Sequence, residues 1–381
     1  MLQEFLAQKP LYYDEIDYIR MPKVYAIIKD SFVHPKVIHI VGTNGKGTTG
    51  RFLAMALLNA GYKVGHYSSP HILEFNERIW LNGKNASSQI LETAHQKLLQ
   101  ILTQAQADAL SYFEYTTLLA MYLYRDCEYV VLEAGLGGEY DATAVFDNIV
   151  TLITPIAKDH EAFLGNSIEE IVQTKVNAVQ KTAILAQQIN STVPTLVKSI
   201  VIEKECAFFS AEAFITEEDK AKIKEIQSSL SLENYLLINL TLAIATLNYL
   251  QIPYTQKSFQ NARLFGRLTQ INENIIVDVG HNVLAALAIA NALHGQKFRL
   301  IYNSYKDKNY KEILAILKPI IDKVEIIEVD DSRIEASIIL EETLSELDVK
   351  YGKFQGIDKD IKYLVFGSFS VVEAFLKAYN E

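Results

Sequence analysis

The sequence is poor in the residues that staple small secreted folds or grip a polyanion wholesale. It has two cysteines, Cys127 and Cys206, in 381 residues. That count excludes a disulfide framework and a CxxC metal motif, and it fits a reducing compartment. Positive charge is in the minority: 36 Lys and Arg stand against 46 Asp and Glu, a formal net charge of -10. Broad nucleic-acid binding needs an extended basic surface, so no nucleic-acid partner is expected; a local basic site for one small polyanion is still allowed. Residues 1–17 lack a basic start followed by an apolar run. They do not read as a signal peptide, and a cytoplasmic location is expected. Residues 235–256 lack charge altogether. A membrane-spanning helix needs about 20 mostly apolar residues. Here Asn239, Asn248 and Gln251 interrupt the run and Pro253 ends it, which predicts a buried helix in a soluble domain and no membrane partner.

What is present is globular: 49% hydrophobic and 22% charged residues. At roughly 150 residues per domain the length suits two or three domains. Short apolar runs at 37–41, 63–67, 129–133, 148–154 and 182–186 alternate with helical periods at 48–60 and 111–125. Such alternation predicts parallel βαβ units with helices on both sheet faces. After Pro253 the segments 268–271 and 275–279 flank Asn272-Glu273-Asn274, a hairpin signal. Helix and strand then alternate again to the end. The fold class expected is α/β: a large, mostly parallel sheet domain carrying a phosphate loop over 1–262, and a smaller Rossmann-like α/β domain over 263–381. The charge run 217–225 reads as a solvated helix face.

The strongest local signal is Gly42-Thr43-Asn44-Gly45-Lys46-Gly47-Thr48, which follows a strand and opens a helix. Glycines let backbone N–H groups approach phosphate oxygens, the helix N-terminus adds partial positive charge, and Lys46 adds a full one. The generic GxxxxGK[ST] pattern is not met, because Gly47 follows Lys46 and the hydroxyl arrives one position later at Thr48.

The spelling GTNGKGT resembles the loop of the Mur ligase superfamily, and more narrowly its folate branch, the folylpolyglutamate and dihydrofolate synthases. Further blocks resemble that branch in order: Ser69-Pro70-His71 with Phe75-Asn76-Glu77-Arg78-Ile79, Phe113-Glu114, Glu133-Ala134-Gly135-Leu136-Gly137-Gly138 with Asp141-Ala142-Thr143, Asp159-His160, Lys175, Gly266-Arg267, Asp278-Val279-Gly280-His281-Asn282, Asp307-Lys308 and Gly367-Ser368. The resemblance runs from about residue 16 to residue 370. It implies an ATP- and magnesium-dependent amide ligase that activates a carboxylate as an acyl phosphate and passes it to glutamate.

By resemblance, Gly42 through Thr48 cradle ATP, with Asn239, Arg267 and Asp278 as further nucleotide contacts and the nucleotide lying between the domains. Ser69, Glu133 and His160 match magnesium-holding positions, for one ion or two. Lys175 matches a lysine that is carbamylated in the superfamily. Lys46, Lys175 and His281 are the implied catalytic residues. Arg20, Phe113 and Asp141 match folate-contacting positions; His281 and Ser368 match glutamate-contacting ones, with an N-cap role open for Ser368. Dihydropteroate or folate, L-glutamate and ATP are then the small-molecule partners of an expected monomer. Departures at Tyr235, Leu236, Glu139 and Ala144 keep open a ligase of the superfamily for another carboxylate and amino acid. Thr174 and Asn177 depart from the pattern around Lys175, and Val283 replaces a proline with little bearing on the chemistry. A nucleotide-binding regulatory protein that does not ligate is the third reading.

Overall fold

Apolar runs without polar alternation must be covered on both faces, and a parallel sheet between helices does this. The computed structural model describes residues 1–9 and 17–380; Ile16, where the resemblance begins, lies outside them. The chain forms two compact units, Met1–Ser231 with Leu236–Ala262, and Leu232–Tyr235 with Arg263–Glu381. The larger unit holds β1 (Lys36–Val41), β2 (Val64–Tyr67), β3 (Ile79–Leu81), β4 (Lys84–Asn85), β5 (Tyr129–Glu133), β6 (Asn148–Ile153), β7 (Thr182–Leu185) and β8 (Ala207–Ser210). Their order is β4-β3-β2-β5-β1-β6-β7-β8. The pairs from β2 to β8 across the sheet are parallel. β3 and β4 extend one edge antiparallel, a hairpin that the apolar pattern does not predict.

The connection from β1 leads away to β2 on one side, while β6, β7 and β8 build out the other. The strand order therefore reverses beside β1, and ligands of open α/β sheets bind outside the carboxyl ends of strands at such a point. Glu133 ends β5 and pairs in register with Ile40 of β1, so it stands directly beside the entrance to the phosphate loop.

The smaller unit holds β9 (Thr269–Asn272), β10 (Ile275–Val277), β11 (Phe298–Tyr302), β12 (Ile321–Ile326), β13 (Tyr351–Lys353) and β14 (Tyr363–Phe366), in the order β13-β12-β11-β14-β10-β9. Only β9 is antiparallel, closing the predicted hairpin with β10. Leu300, Tyr302, Leu364 and Phe366 pack with Ala286 and Leu314 in its core.

The uncharged stretch becomes the helix Leu237–Tyr249, preceded by a single 3-10 turn. Leu240, Leu242, Ala243, Ile244, Ala245 and Leu247 are all buried, as a helix apolar all round requires. It packs on the helix Lys46–Asn59. Among the described residues no helix is long and apolar enough to cross a membrane. The charge run forms the helix Glu217–Leu230, but one of its acids is not solvated. Asp219 is buried, where its carboxylate accepts from Thr216, Asn248 and Tyr254. A capping carboxylate at the third helical position explains the exception.

Candidate active site

The phosphate loop is shaped by glycines that the packing demands. Gly45 has φ 87° and caps the helix Lys46–Asn59; a Cβ there would lie 2.0 Å from Asn239 Nδ2. Gly42 has φ 141° and faces Thr154 at the same close range. The amides of Thr43 and Asn44 donate to Pro155 O, and Thr43 Oγ1 donates to Ala157 O. This leaves the loop rigid against the end of β6. Lys46 Nζ lies over the loop, 3.2 Å from Gly42 O and 3.3 Å from Thr43 O. First-turn amides of a helix have no intrahelical acceptor, so they and Lys46 converge on one point suited to phosphate.

Asn239 donates to Gly45 O and Thr49 Oγ1. The structure thus gives the polar residue of the uncharged helix a bracing role on the loop. Thr48 Oγ1 is buried and has no hydrogen-bond partner among the described residues. A buried hydroxyl left unpaired costs about 1–3 kcal/mol; one beside a phosphate loop is explained by a ligand that would satisfy it.

Glu133 is 5% exposed and accepts from the Ser69 amide at 3.3 Å. With Ser69 and Thr48 it supplies hard oxygen donors, the set that magnesium prefers. The residues present therefore fit such an ion. His160 is a more distant candidate in character: it has φ 53° and heads the short helix Glu161–Leu164, its amide held by Asp159 Oδ1.

Lys175, on the helix Ile168–Val176, is 4% exposed. Its Nζ donates to Gly42 O at 3.1 Å. Burial and then the charge of Lys46 push its ammonium down to about 7, against smaller opposing effects of Asp159 and Asp141. Gly138 lies against its backbone, where a Cβ would come within 2.6 Å of Lys175 O. This is not the surface lysine that the sequence alone would suggest.

Asp141 closes the glycine-rich turn after Glu133. Its Oδ2 accepts from the Gly135 and Leu136 amides, and its Oδ1 from the Thr143 amide and hydroxyl. Burial pushes its carboxyl upward while those four donors oppose the shift. Phe113 is half-buried, tilted against Tyr67 at 5.7 Å, and its ring covers Gly135. Arg20 heads the helix Arg20–Ile28, with Nε 2.7 Å from Glu114 Oε2. Sequence reasoning does not single out His39 or Thr143, which join Asp141; a lone imidazole in an apolar strand is the available signal.

In the smaller unit, Asp278 follows β10 and is buried. It accepts from the Gly280 and Leu268 amides and from Tyr235 Oη. Burial pushes its carboxyl upward, with Arg267 the largest opposing influence. Arg267 donates to Gly266 O and lies over the Phe369 ring. His281 Nδ1 lies 3.1 Å from Val279 O. Ser368 is fully buried and accepts from the Val371 amide, so it caps the helix Phe369–Asn380.

Over 90% of its length the chain is 30% identical to the dihydrofolate synthase/folylpolyglutamate synthase of Haemophilus influenzae, of which it covers 88%. The crystal structure of Helicobacter pylori folylpolyglutamate synthetase is 38% identical with a TM-score of 0.80, covering 100% of this chain and 98% of that one. The bifunctional folylpolyglutamate synthase/dihydrofolate synthase from Yersinia pestis, complexed with AMPPNP and Mn ion, is 27% identical with a TM-score of 0.82, covering 99% and 97%. No protein-family profile matches. Full-length likeness at this identity, with the phosphate loop and the strand-end acid already in place, decides the question: the chain belongs to the dihydrofolate synthase/folylpolyglutamate synthase family.

Proposed function

We propose that this ATP-dependent ligase joins L-glutamate to dihydropteroate or a reduced folate through an acyl phosphate. The acceptor carboxylate attacks the γ-phosphorus and ADP leaves. The glutamate amine then attacks the acyl carbon, loses a proton, and expels phosphate. The observation that carries the reading is the meeting of three features at the ends of β1, β2 and β5: the phosphate loop with Lys46, the unpartnered Thr48 hydroxyl, and Glu133 with Ser69.

The first-turn amides of the helix Lys46–Asn59 and the Lys46 ammonium hold the phosphates and oppose the charge that builds on transfer, with Gly42 through Gly45 shaping the loop around them. Thr48, Ser69 and Glu133 would hold a divalent cation, with His160 as a further ligand. When bound, such an ion neutralises phosphate charge and polarises the γ-phosphorus. Asn239 keeps the loop in place. Phe113 offers a flat face to the pterin-bearing acceptor, while Asp141 and Arg20 shape that side. In the smaller unit, the glutamate-ligase domain of this proposal, Arg267 and Asp278 serve the nucleotide and His281 serves the amino acid, while Ser368 caps the helix Phe369–Asn380. With its ammonium pushed down to about 7, Lys175 is in part a free amine near neutral pH, and that amine adds CO₂ and releases a proton, giving a carbamate at the loop. The cysteine and charge pattern support a cytoplasmic enzyme, which we take to act as a monomer.

The test is Mg²⁺-dependent ADP release with dihydropteroate or tetrahydrofolate, with and without glutamate. Glutamate-dependent release with either pterin is expected. Release only with other acceptors would move the chain to another substrate pair, and none at all would leave a non-ligating nucleotide binder.

A further inference from the structure

His39 sits in the middle of β1 with no exposed surface. Its neighbours in the strand, Ile38 and Ile40, are fully buried. Its Nδ1 has no hydrogen-bond partner among the described residues, and its Nε2 lies 2.8 Å from Thr143 Oγ1. Burial holds the ring neutral, with its pKa down to about 4. For stability alone this is a poor choice, since an apolar side chain would avoid stranding a ring nitrogen.

The proton positions follow from the acceptors. Both Asp141 oxygens face donors: the Gly135 and Leu136 amides on Oδ2, the Thr143 amide and hydroxyl on Oδ1. An ionised carboxylate accepts all four, whereas a protonated one would need an acceptor of its own. The Thr143 hydroxyl therefore gives its proton to Asp141 at 2.5 Å. Its oxygen is left to accept from His39, which must carry its proton on Nε2. The result is one directed chain of hydrogen bonds from β1 to the turn that follows Glu133.

That chain joins two parts of the site that share no covalent neighbourhood. His39 is three residues before Gly42, where the phosphate loop starts, and Gly135 is two after Glu133. The ring of Phe113 rests on Gly135, where a Cβ would come within 2.8 Å of it. We propose that His39 and Thr143 are positioning residues for ligation: through Asp141 they fix the turn at Gly135–Leu136, and with it Glu133 and the Phe113 surface, against the phosphate-loop strand. The proposal builds on the ligase reading and adds residues to it.

The experiment compares His39→Leu, Thr143→Val and Thr143→Ser with wild type by glutamate-dependent ADP release and thermal unfolding. His39→Leu should unfold no earlier than wild type, because a stranded nitrogen is removed. Its kcat should nevertheless fall between about tenfold and 100-fold, as for a displaced catalytic geometry. KM for glutamate should stay near wild type, and the Mg²⁺ concentration giving half-maximal rate should rise. Thr143→Val keeps the shape but deletes both links, and should lose at least as much turnover; Thr143→Ser, which keeps the hydroxyl, should restore it. Wild-type kcat in a folded His39→Leu protein would overturn the proposal, as would failure of Thr143→Ser to recover turnover. Should Thr143→Val not fold, His39→Leu still decides. If wild type itself shows no glutamate-dependent release, it is the ligase reading that fails.

Discussion

Each sheet has a buried acid at the carboxyl end of one of its strands, yet the two ends are built to opposite effect. In the larger unit Glu133 closes β5, and the phosphate loop beside that strand carries a buried hydroxyl, Thr48 Oγ1, that the described residues leave without a partner. A buried lysine, Lys175, stands by with its ammonium pushed down to about 7. In the smaller unit Asp278 follows β10 with three donors on its carboxylate, and Ser368 spends its hydroxyl on a helix cap. Polar groups in the first place cost the fold something; those in the second help hold it. Folding selects satisfied polar groups, so the unsatisfied end is the one shaped by charge that arrives with a ligand.

Substitutions should therefore separate stability from turnover in opposite senses in the two units. The largest effect is expected at Lys46. Lys46→Ala removes the ammonium from the phosphate site, and by analogy with other lost transition-state charges kcat should fall roughly 10²- to 10³-fold. Among the described residues the amine donates to loop carbonyls alone, Gly42 O and Thr43 O, so the unfolding midpoint should hold. Full activity in this variant would remove the phosphate-loop assignment.

Thr48→Val comes next and is the sharper comparison. The hydroxyl it deletes has no partner to lose, so the variant should be as stable as wild type or more so. Glutamate-dependent turnover should still drop severalfold, with a higher Mg²⁺ requirement. A variant that unfolds earlier but turns over normally would place Thr48 with the structural groups.

Lys175 offers a test read in pH. Its ordinary value of 10.5 falls to about 7 in the folded chain, through burial first and Lys46 second. Between roughly pH 7 and pH 10 the unfolded chain then binds more protons than the folded one, so this group makes stability rise with pH across that window. Below pH 7 both states are protonated and the whole cost of burying the charge is felt. In bicarbonate-free buffer Lys175→Met should be more stable than wild type at pH 6, with the gap closing toward pH 10. A gap that does not vary with pH would mean that the lysine is not held near 7.

Legibility in the sequence followed sequence distance. The run VIHIVGTNGKGT announces a strand, a phosphate turn and a helix because the chemistry lies within twelve consecutive residues. The strand YVVLE matches β5 from end to end for the same reason. Contacts made by remote segments were not legible. Asn239 braces Gly45 from 194 positions away, and His39 reaches Thr143 across 104. Neither pairing leaves a local pattern. Asp141 shows the intermediate case: its place in the motif was visible, but not that four donors from its own loop would occupy it. The same holds for the antiparallel edge of β3 and β4, whose short strands carry no alternation to read.

Ser368 is where the two readings open in the sequence part company, and the expected effect is the smallest. As a cap accepting from the Val371 amide, it should cost about 1 kcal/mol when changed to alanine. Ser368→Ala would then lower the unfolding midpoint slightly while KM for glutamate stays near wild type. A clear rise in that KM with an unchanged midpoint would reverse the assignment and make Ser368 a binding group. Ser368→Thr separates the cases further. Threonine caps nearly as well, so a capping residue tolerates it, whereas a fully buried hydroxyl aimed at a substrate would be turned or crowded by the added methyl.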